Sequence, residues 1–372
     1  MRTIGSRSTA VLSLLFLVAL PARFAALHAQ NASGSVQAAD PDPPSDAYGE
    51  PEQTTVRDLR IHWRTLFDDG DWSRLDAIAD QLRNGRLRFR GGAWQLRVFY
   101  ATISPAGPLT ATDADWKAQF TRLQSWIQQN PSSPTPRIAL ADAYLHWAWK
   151  ARGNGFARTV TQDGWKLFYQ RIQMAQSTLD DAQKIGAVDP EWYRAMQTVA
   201  LAQGWDRSKV ENLLNEAINA APDYFYFARA EANYLLPKWY GKPGDTEQFA
   251  EQVADQIGGD EGDAVYFLID ESINCCRRLQ APAMSWPRAR QGFFALDRLY
   301  GTTNGQRNAM AFLALRAGDT QTAQQLFARI GNDWARGVWR SKVRFDASRT
   351  GQPIAGIQPV GPVRPPAPPA TE

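Results

Sequence analysis

Apolar residues recur along most of this chain at the spacing of a helix rather than a strand. Three stretches show the pattern clearly: Trp72, Leu75, Ile78, Ala79 and Leu82; Trp116, Phe120, Leu123 and Ile127; and Val210, Leu213, Leu214 and Ala217. Steps of three and four residues place these side chains on one face of a helix. Sustained alternation with a period of two, which marks a half-buried strand, is scarce. The pattern therefore predicts an all-α domain.

A short turn signature separates several of the predicted helices. Gly-Asp, followed by three residues and then an apolar one, begins at Gly70, Gly244 and Gly318. Glycine suits the left-handed residue that ends a helix, and aspartate can cap the start of the next. Asp245 and Gln248 also have the spacing of a capping box. The signature predicts pairs of antiparallel helices joined by tight turns.

Small residues recur in these pairs as they do in tetratricopeptide repeats. The segment NAMAFLALRAGDTQTAQQLFARI resembles one such repeat, with Ala311 where helices pack closely and Gly318 at the turn. Ala323 and Phe327 then lie on the second helix. Because the turns are unevenly spaced, we predict an irregular tetratricopeptide-like array of antiparallel helix pairs. Stacked pairs of this kind form a curved α-solenoid with a concave face.

Longer motifs carry a resemblance to one bacterial family. Between Asp71 and Trp339 the chain contains, in order, LDAIADQLR, WQLRVFY, ARGNGFARTVTQDGWKLF, DPEWYRAMQTVALAQGW, YLLPKWYGKPGD and a closing AGDTQTAQQLFARIGNDWARGVW. Together these motifs resemble the uncharacterised family known as domain of unknown function 4034. The resemblance implies a tetratricopeptide-like helical domain. It implies no activity, because none is established for that family, and it supplies no catalytic residue.

The first 29 residues have the composition of a signal peptide. Arg2 and Arg7 give a positive start, and the apolar run from Ala10 to Ala22 is too short to span a membrane. Cleavage after Ala29 would remove three arginines, the third being Arg23, and no acidic residue. Of 41 basic and 38 acidic residues in the chain, 38 of each would remain.

This balance has consequences for partners and location. A neutral mature protein has no electrostatic basis for binding nucleic acid or anionic lipid. No second apolar run is long enough to span a bilayer, so we expect no stable membrane anchor after signal cleavage. The protein is then periplasmic or secreted, since one signal serves both destinations.

Two segments rich in small, polar and proline residues flank the predicted domain. One follows the signal, and the other ends the chain with PVGPVRPPAPPATE. Neither has enough apolar surface to offset the entropy of ordering. We predict a disordered linker over residues 30–54, the helical domain over residues 55–347, and a disordered proline-rich tail over residues 348–372.

Residues typical of catalysis are scarce. His62 and His146 are flanked by apolar or aromatic residues, which favours positions in the core or at its edge. Asp270 and Glu271 point about 100° apart on a helix, which favours a solvated face over a glycosidase pair. No motif of a metalloprotease, serine hydrolase or phosphate-binding loop occurs. We therefore predict no catalytic residue, no metal site and no cofactor.

Two adjacent cysteines, Cys275 and Cys276, raise the question of a disulfide. An oxidising compartment favours disulfides, but consecutive Cα atoms lie about 3.8 Å apart, below the usual range for a bridge. Cys276 continues the core spacing of Val265, Ile269 and Ile273, so we predict that it is a buried apolar residue. The redox state of the pair stays open.

Two enlarged turns hold the candidate binding residues. The first loop is ARGNGFARTVTQDG, residues 151–164, and the second loop is YLLPKWYGKPGD, residues 234–245. Each replaces a minimal turn inside a helix pair, so we expect both on one edge of the array, with the Gln203–Gly204 turn between them. Their cations, hydroxyls and aromatic rings suit a carboxylate, phosphate or glycan. The candidate ligand-binding residues are Arg152, Asn154, Gly155, Arg158, Thr159, Thr161, Lys238, Trp239, Tyr240 and Lys242.

The second loop also has a purely structural interpretation. Trp239 and Tyr240 can fold back and close the open end of their helix pair. The 14 tryptophans of the chain pose the same choice, since they suit both sugar stacking and packing between helices. The sequence alone favours packing.

Three functions fit these observations, in descending order. The first is an exported scaffold of the bacterial envelope, which binds another envelope protein on its concave face or loop edge. The second is a binder of a small anionic or glycan ligand that uses the two loops. The third is a hydrolase of envelope polymer. The identity of the ligand or partner and the oligomeric state stay open.

Overall fold

Helices account for the regular structure of the protein. The computed structural model describes residues 51–352 apart from 106, 109, 154, 187–188 and 274–283, with backbone only for 51–54. These described residues form sixteen helices and no strand, and a single antiparallel bridge joins Arg88 and Trp94. The all-α prediction is confirmed.

The helices are numbered in chain order. Their bounds are α1 Pro51–Asp69, α2 Trp72–Gly85, α3 Gln95–Ile103, α4 Asp113–Gln129, α5 Thr135–Arg152, α6 Gln162–Gln183, α7 Pro190–Gln203, α8 Arg207–Ala220, α9 Tyr226–Tyr234, α10 Asp245–Ile257, α11 Gly259–Ile273, α12 Trp286–Tyr300, α13 Asn304–Ala317, α14 Thr320–Ile330, α15 Arg336–Trp339 and α16 Lys342–Arg349. None of the helices in the described part of the chain is both long and apolar enough to cross a membrane.

The predicted apolar stripes are the packing faces of their helices. In α2 and α8 these residues are buried: Trp72, Leu75, Ala79 and Leu82, and Val210, Leu213, Leu214 and Ala217. In α4, Trp116 and Leu123 are buried, and Phe120 packs against the core from its edge. Periodicity therefore located the faces that hold the fold together.

Two of the three Gly-Asp turns have the predicted geometry. Gly70 has a φ of 76°, and Asp71 accepts a hydrogen bond from the backbone N–H of Arg74 at 3.2 Å. Gly318, with a φ of 77°, ends α13, and Asp319 caps α14 in the same way. Each aspartate satisfies an N–H group that has no partner within its helix.

The third turn differs, and the predicted capping box there is wrong. Gly244, with a φ of 99°, occupies the capping position, so Asp245 is already the first residue of α10. The N–H of Gln248 therefore donates to the carbonyl of Gly244 at 3.0 Å. The Asp245 carboxylate accepts from the N–H of Lys242 instead, at 3.0 Å.

Successive helices pack in pairs and each pair contacts the next. The pairs α5–α6, α7–α8, α9–α10 and α13–α14 are joined by the loops and turns between their members. Further contacts, such as α5–α7 and α7–α9, connect neighbouring pairs. This is the arrangement expected for an array of helical hairpins.

The connection between α2 and α3 departs from such nearest-neighbour packing. The N–H of Gly91 donates to the carbonyl of Gly301 at 3.1 Å, and Gln306 Nε2 donates to the carbonyl of Gly91 at 3.1 Å. Trp94 Nε1 donates to the carbonyl of Asp223 at 3.0 Å. Units of a solenoid contact only their neighbours, whereas this connection joins residues 129 and 215 positions apart. A simple curved solenoid therefore stays a prediction.

The predicted domain boundaries fall close to the ends of the helices. α1 begins at Pro51, inside the segment predicted as linker, and α16 ends at Arg349, two residues past the predicted end of the domain. The predicted signal peptide, most of the linker and nearly all of the tail lie outside the described residues. Cys275 and Cys276 lie outside them too.

A buried carboxylate connects α2, α3 and α7. Asp189 is fully buried, and its Oδ2 accepts from Arg83 Nε and Nη2 at 2.9 and 2.7 Å and from the Tyr100 hydroxyl at 2.7 Å. Its Oδ1 accepts from the N–H of Glu191 at 2.8 Å and caps α7. Burial and the neighbouring Asp189 together raise the pKa of Tyr100 well above its usual range, so the phenol stays a donor.

A second set of buried charges continues the network through α7 into α5. Glu191 accepts from Arg194 Nε at 2.6 Å and from the Tyr224 hydroxyl, and Arg194 also pairs with Asp142. Burial raises the pKa of Glu191, although Arg194 opposes the shift. Burial also acts to raise the pKa of Asp142, but His146 and Arg194 outweigh it and hold that pKa well below its usual range.

Candidate functional site

The second loop lies beside the end of α5, where the first loop begins. Trp239 of the second loop packs edge-to-face on Trp149, near the end of α5, with ring centroids 6.0 Å apart. Tyr240 donates its hydroxyl hydrogen to the carbonyl of Leu201 at 3.0 Å. A Cβ added to Gly204 would lie 3.0 Å from that hydroxyl oxygen, so the turn between α7 and α8 lies against the second loop. We call this region the loop edge.

The second loop folds back because α9 ends early. α9 ends at Tyr234, three residues before Pro237, which cannot continue a helix. The N–H of Tyr240 donates to the carbonyl of Tyr234 at 3.2 Å. A Cβ on Gly241 would overlap the carbonyl of Leu235, so only glycine fits this close approach.

Arg152 lies at the centre of the loop edge. It is the last residue of α5, is only 6% exposed, and lies 5.5 Å from the Trp149 ring and 5.6 Å from the Trp165 ring. Its Nη1 donates to the carbonyls of Gly153 and Gly155, both at 3.1 Å. Among the described residues no carboxylate pairs with Arg152. In the described part of the chain, ring faces and loop carbonyls surround its charge.

The electrostatics of the loop edge follow from this burial. Desolvation lowers the pKa of Arg152, and the nearby Tyr169 opposes the shift. Burial raises the pKa of Tyr240 to about 12, with Tyr234 and Tyr169 adding to the effect. The phenols of Tyr169 and Tyr240 are uncharged at neutral pH, so neither supplies a negative charge to pair with the Arg152 guanidinium.

Two tyrosines of this region are partly exposed: Tyr169, which lies close enough to Arg152 to affect its pKa, and Tyr240 of the second loop. Tyr169 is 40% exposed and stacks on Trp165, with centroids 5.7 Å apart. Tyr240 is 43% exposed and stacks on Tyr234, with centroids 4.9 Å apart. Each ring has one face on the protein. The loop edge therefore combines a buried cation with exposed aromatic surface.

The hydroxyls predicted to bind a ligand are used by the first loop itself. Thr159 Oγ1 donates to the carbonyl of Phe156 at 2.8 Å. Thr161 caps α6 by accepting from the N–H of Gly164 at 3.0 Å. Arg158 is exposed and lies over the Phe156 ring at 5.0 Å. We assign the two threonines to loop structure.

The remaining predicted residues have different positions. Gly155 is exposed, and Asn154 lies outside the described residues. Lys238 is half-buried and Lys242 is exposed, and neither ammonium group has an ion pair within the described part of the chain. They can add positive charge at the rim of the site without being held in place.

The structure thus brings together Arg152, Trp239 and Tyr240 of the predicted set. It adds Trp165 and Tyr169, which sequence reasoning did not assign to the site. Their spacing of four residues at the start of α6, directly after the first loop, was the available signal. The structural interpretation holds in part: Tyr240 folds back onto Tyr234 of its own helix pair, whereas Trp239 packs on Trp149 of α5 instead.

The other candidates for chemistry lie elsewhere. His62 is exposed, so the prediction of a core or edge position is wrong for it, whereas His146 Nδ1 lies 3.6 Å from the buried Asp142. Asp270 is buried, so the prediction of a solvated Asp270–Glu271 pair is wrong for the aspartate. Within the described residues no group of three or more His, Cys, Asp or Glu side chains is placed to hold a metal ion.

Fold and site together define an all-α protein of packed helical hairpins with an arginine and aromatic rings on one edge. Comparisons with protein-family models, curated proteins and solved structures gave no match. The resemblance to domain of unknown function 4034 stays a prediction that depends on the quoted motifs.

Proposed function

We propose that the protein is an exported, non-catalytic binding module that holds a small anionic ligand at the loop edge. Arg152 carries the proposal. A buried charge is costly unless it is paired, and this guanidinium has no carboxylate partner among the described residues. A ligand anion would supply that partner. Nε and Nη2 of Arg152 donate to no described residue, so they are available for a two-pronged contact.

The surroundings of Arg152 narrow the class of ligand. A planar guanidinium matches the geometry of carboxylate and phosphate oxygens. The exposed faces of Tyr169 and Tyr240 suit a ring with apolar C–H groups, such as a sugar. An acidic sugar combines both features. We therefore favour a carboxylated saccharide over a simple anion.

Replacing Arg152 by glutamine is expected to weaken binding of an acidic sugar by about 30-fold or more. Removing one partner of a buried charge pair costs about 2–5 kcal/mol, and 2 kcal/mol corresponds to that factor. Isothermal titration calorimetry with glucuronate tests this, with benzoate, inorganic phosphate and glucose as comparison probes. Arg336→Gln is the matched control, because Arg336 is an exposed arginine on α15.

Two further measurements separate binding from folding. Arg152→Lys keeps the charge and loses the planar fork, so intermediate affinity is expected. Circular dichroism and the melting temperature of each variant show whether it is folded. Unchanged glucuronate affinity in a folded Arg152→Gln variant would refute the site. Binding of glucose as tight as that of glucuronate would refute the anionic class.

The scaffold function stays a prediction with one supporting surface. Leu167 and Met174 are exposed on α6, and Met174 lines a shallow, open depression together with Tyr144, Gln170 and Gln173. Such a mixture of apolar and amide side chains suits a polypeptide. A photo-crosslinker at Met174 that captures one envelope protein, while the same group at the exposed Val343 does not, would support it. The hydrolase function has no supporting geometry among the described residues.

A further inference from the structure

Glu231 of α9 is a buried carboxyl group, and no described residue donates a hydrogen bond to its Oε2. The residue is 2% exposed, and its Oε2 is shielded from solvent and has no partner in the described structure. The nearby buried Thr246 does not supply one, since its hydroxyl donates to the carbonyl of Ala232 at 3.2 Å. Buried carboxylates ordinarily recruit donors or a counter-ion. This group therefore favours its protonated form in the folded protein.

The charged groups around Glu231 come from three helices. α8 supplies Arg207 and Glu211, and α9 itself supplies Tyr234. Asp245, the first residue of α10, also acts on Arg207. No titratable group of α7 or α11, which also pack on α9, contributes to the pKa of Glu231.

The balance of these groups places the proton near neutrality. Burial raises the pKa of Glu231 from 4.5 to about 7, Glu211 adds to the shift and Arg207 opposes it. The charge of Arg207 is directed elsewhere, with Nε 2.8 Å from Glu211 and Nη1 3.3 Å from Asp245. A charged Glu231 would compete with both carboxylates for this one guanidinium.

We propose that Glu231 is a proton-controlled latch on the second loop. With its proton, Glu231 stays buried and leaves Arg207 paired with Asp245. Without it, the carboxylate draws Arg207 away from Asp245 or moves out of the interior, and the second loop loosens. The proton goes to solvent, and no other reactant is needed.

Asp245 is the connection between the latch and the loop edge. Its carboxylate accepts from the N–H of Lys242 at 3.0 Å and pairs with Arg207, so it holds the end of the second loop to α8. Trp239 and Tyr240 lie in that loop, and Trp239 packs on Trp149, the ring that Arg152 also contacts. This consequence rests on the proposed function: if the loop edge binds an anion, the latch makes ligand binding tighter in mild acid than in mild base.

The sign of the effect on stability follows from the raised pKa. The pKa of Glu231 is 4.5 in the unfolded chain and about 7 in the folded protein. The stabilising contribution of its proton is therefore fully present below pH 4.5 and is lost as pH rises through about 7. The melting temperature of the wild type should therefore fall between pH 6 and pH 8. Glu231→Gln mimics the protonated group at every pH, so this part of the fall should be absent.

Hydrogen exchange of residues 235–244 at pH 6 and pH 8, corrected for intrinsic exchange, tests the latch without any ligand. One ionising group changes an opening equilibrium by at most about tenfold per pH unit, so wild type should lose protection within that limit. Glu231→Gln should stay protected at both pH values. In Arg207→Gln, residues 235–244 should lack protection at both pH values. Glu216→Gln, an exposed change on α8, should behave as wild type.

The outcomes separate the latch from the proposed function. Equal protection of wild type at both pH values, or a Glu231→Gln variant that opens as wild type does, would overturn the latch. Calorimetry with glucuronate at the same two pH values tests its consequence. A change in protection without a change in glucuronate affinity would leave the latch standing and refute its control over binding.

Discussion

Asp189→Ala will lower the free energy of unfolding by about 3–5 kcal/mol, the cost of removing one partner from a buried ion pair. The substitution leaves the Arg83 guanidinium without its principal counter-charge, and burial of that arginine is already compensated mainly by Asp189. It also removes the acceptor for the Tyr100 hydroxyl and the cap of α7. Urea denaturation at pH 7, followed by far-ultraviolet circular dichroism, measures the loss.

A matched aspartate separates burial from charge. Asp181 pairs with Lys184 at 2.8 Å on the exposed side of α6, so Asp181→Ala should change stability little. If Asp189→Ala and Asp181→Ala lowered the free energy of unfolding by equally small amounts, the buried network would not hold α2, α3 and α7 together. An unchanged denaturation slope in each case shows that the same cooperative unit is measured.

The sequence could not reveal this network, although it located the helices that contain it. Arg83 and Asp189 are 106 residues apart in the sequence, and each is a charged residue of a type ordinarily found on the surface. Helical stripes are local, since each side chain's face depends on neighbours three and four positions away. Pairing across the fold depends on how helices pack, and no local pattern encodes it. Only the position of Asp189 before Pro190 was informative, because it predicts a cap.

The loop edge shows the same division between local and distant information. Loop length and composition identified both loops and Arg152. Their placement on one edge is a prediction from the hairpin pattern alone. The contact between Trp149 and Trp239, and the positions of Trp165 and Tyr169, depended on how the second loop folds. Gly241 explains that fold only after the carbonyl of Leu235 is seen next to it.

Gly91→Ala is expected to lower the free energy of unfolding strongly, because the first glycine of RFRGGAW is in close contact with the start of α13. Gly91 has a φ of 80°, and a Cβ there would lie 2.5 Å from Gln306 Oε1 and 2.8 Å from Thr303 Cγ2. Gln306 holds the capping box of α13 and donates to the carbonyl of Gly91. Alanine must therefore adopt a strained backbone and displace a buried amide. Together these effects should cost about 3–5 kcal/mol.

Gly318→Ala isolates the part of this cost that comes from the long-range contact. Gly318 has nearly the same φ, 77°, but no atom lies within 4 Å of an added Cβ. It should cost only the backbone strain, about 1–2 kcal/mol. The difference between the two variants in urea denaturation then measures how strongly the α2–α3 connection is held against α13. If Gly91→Ala and Gly318→Ala lost the same free energy of unfolding, the α2–α3 connection could shift away from α13 at no cost. Contacts between neighbouring helix pairs alone would then hold the array together.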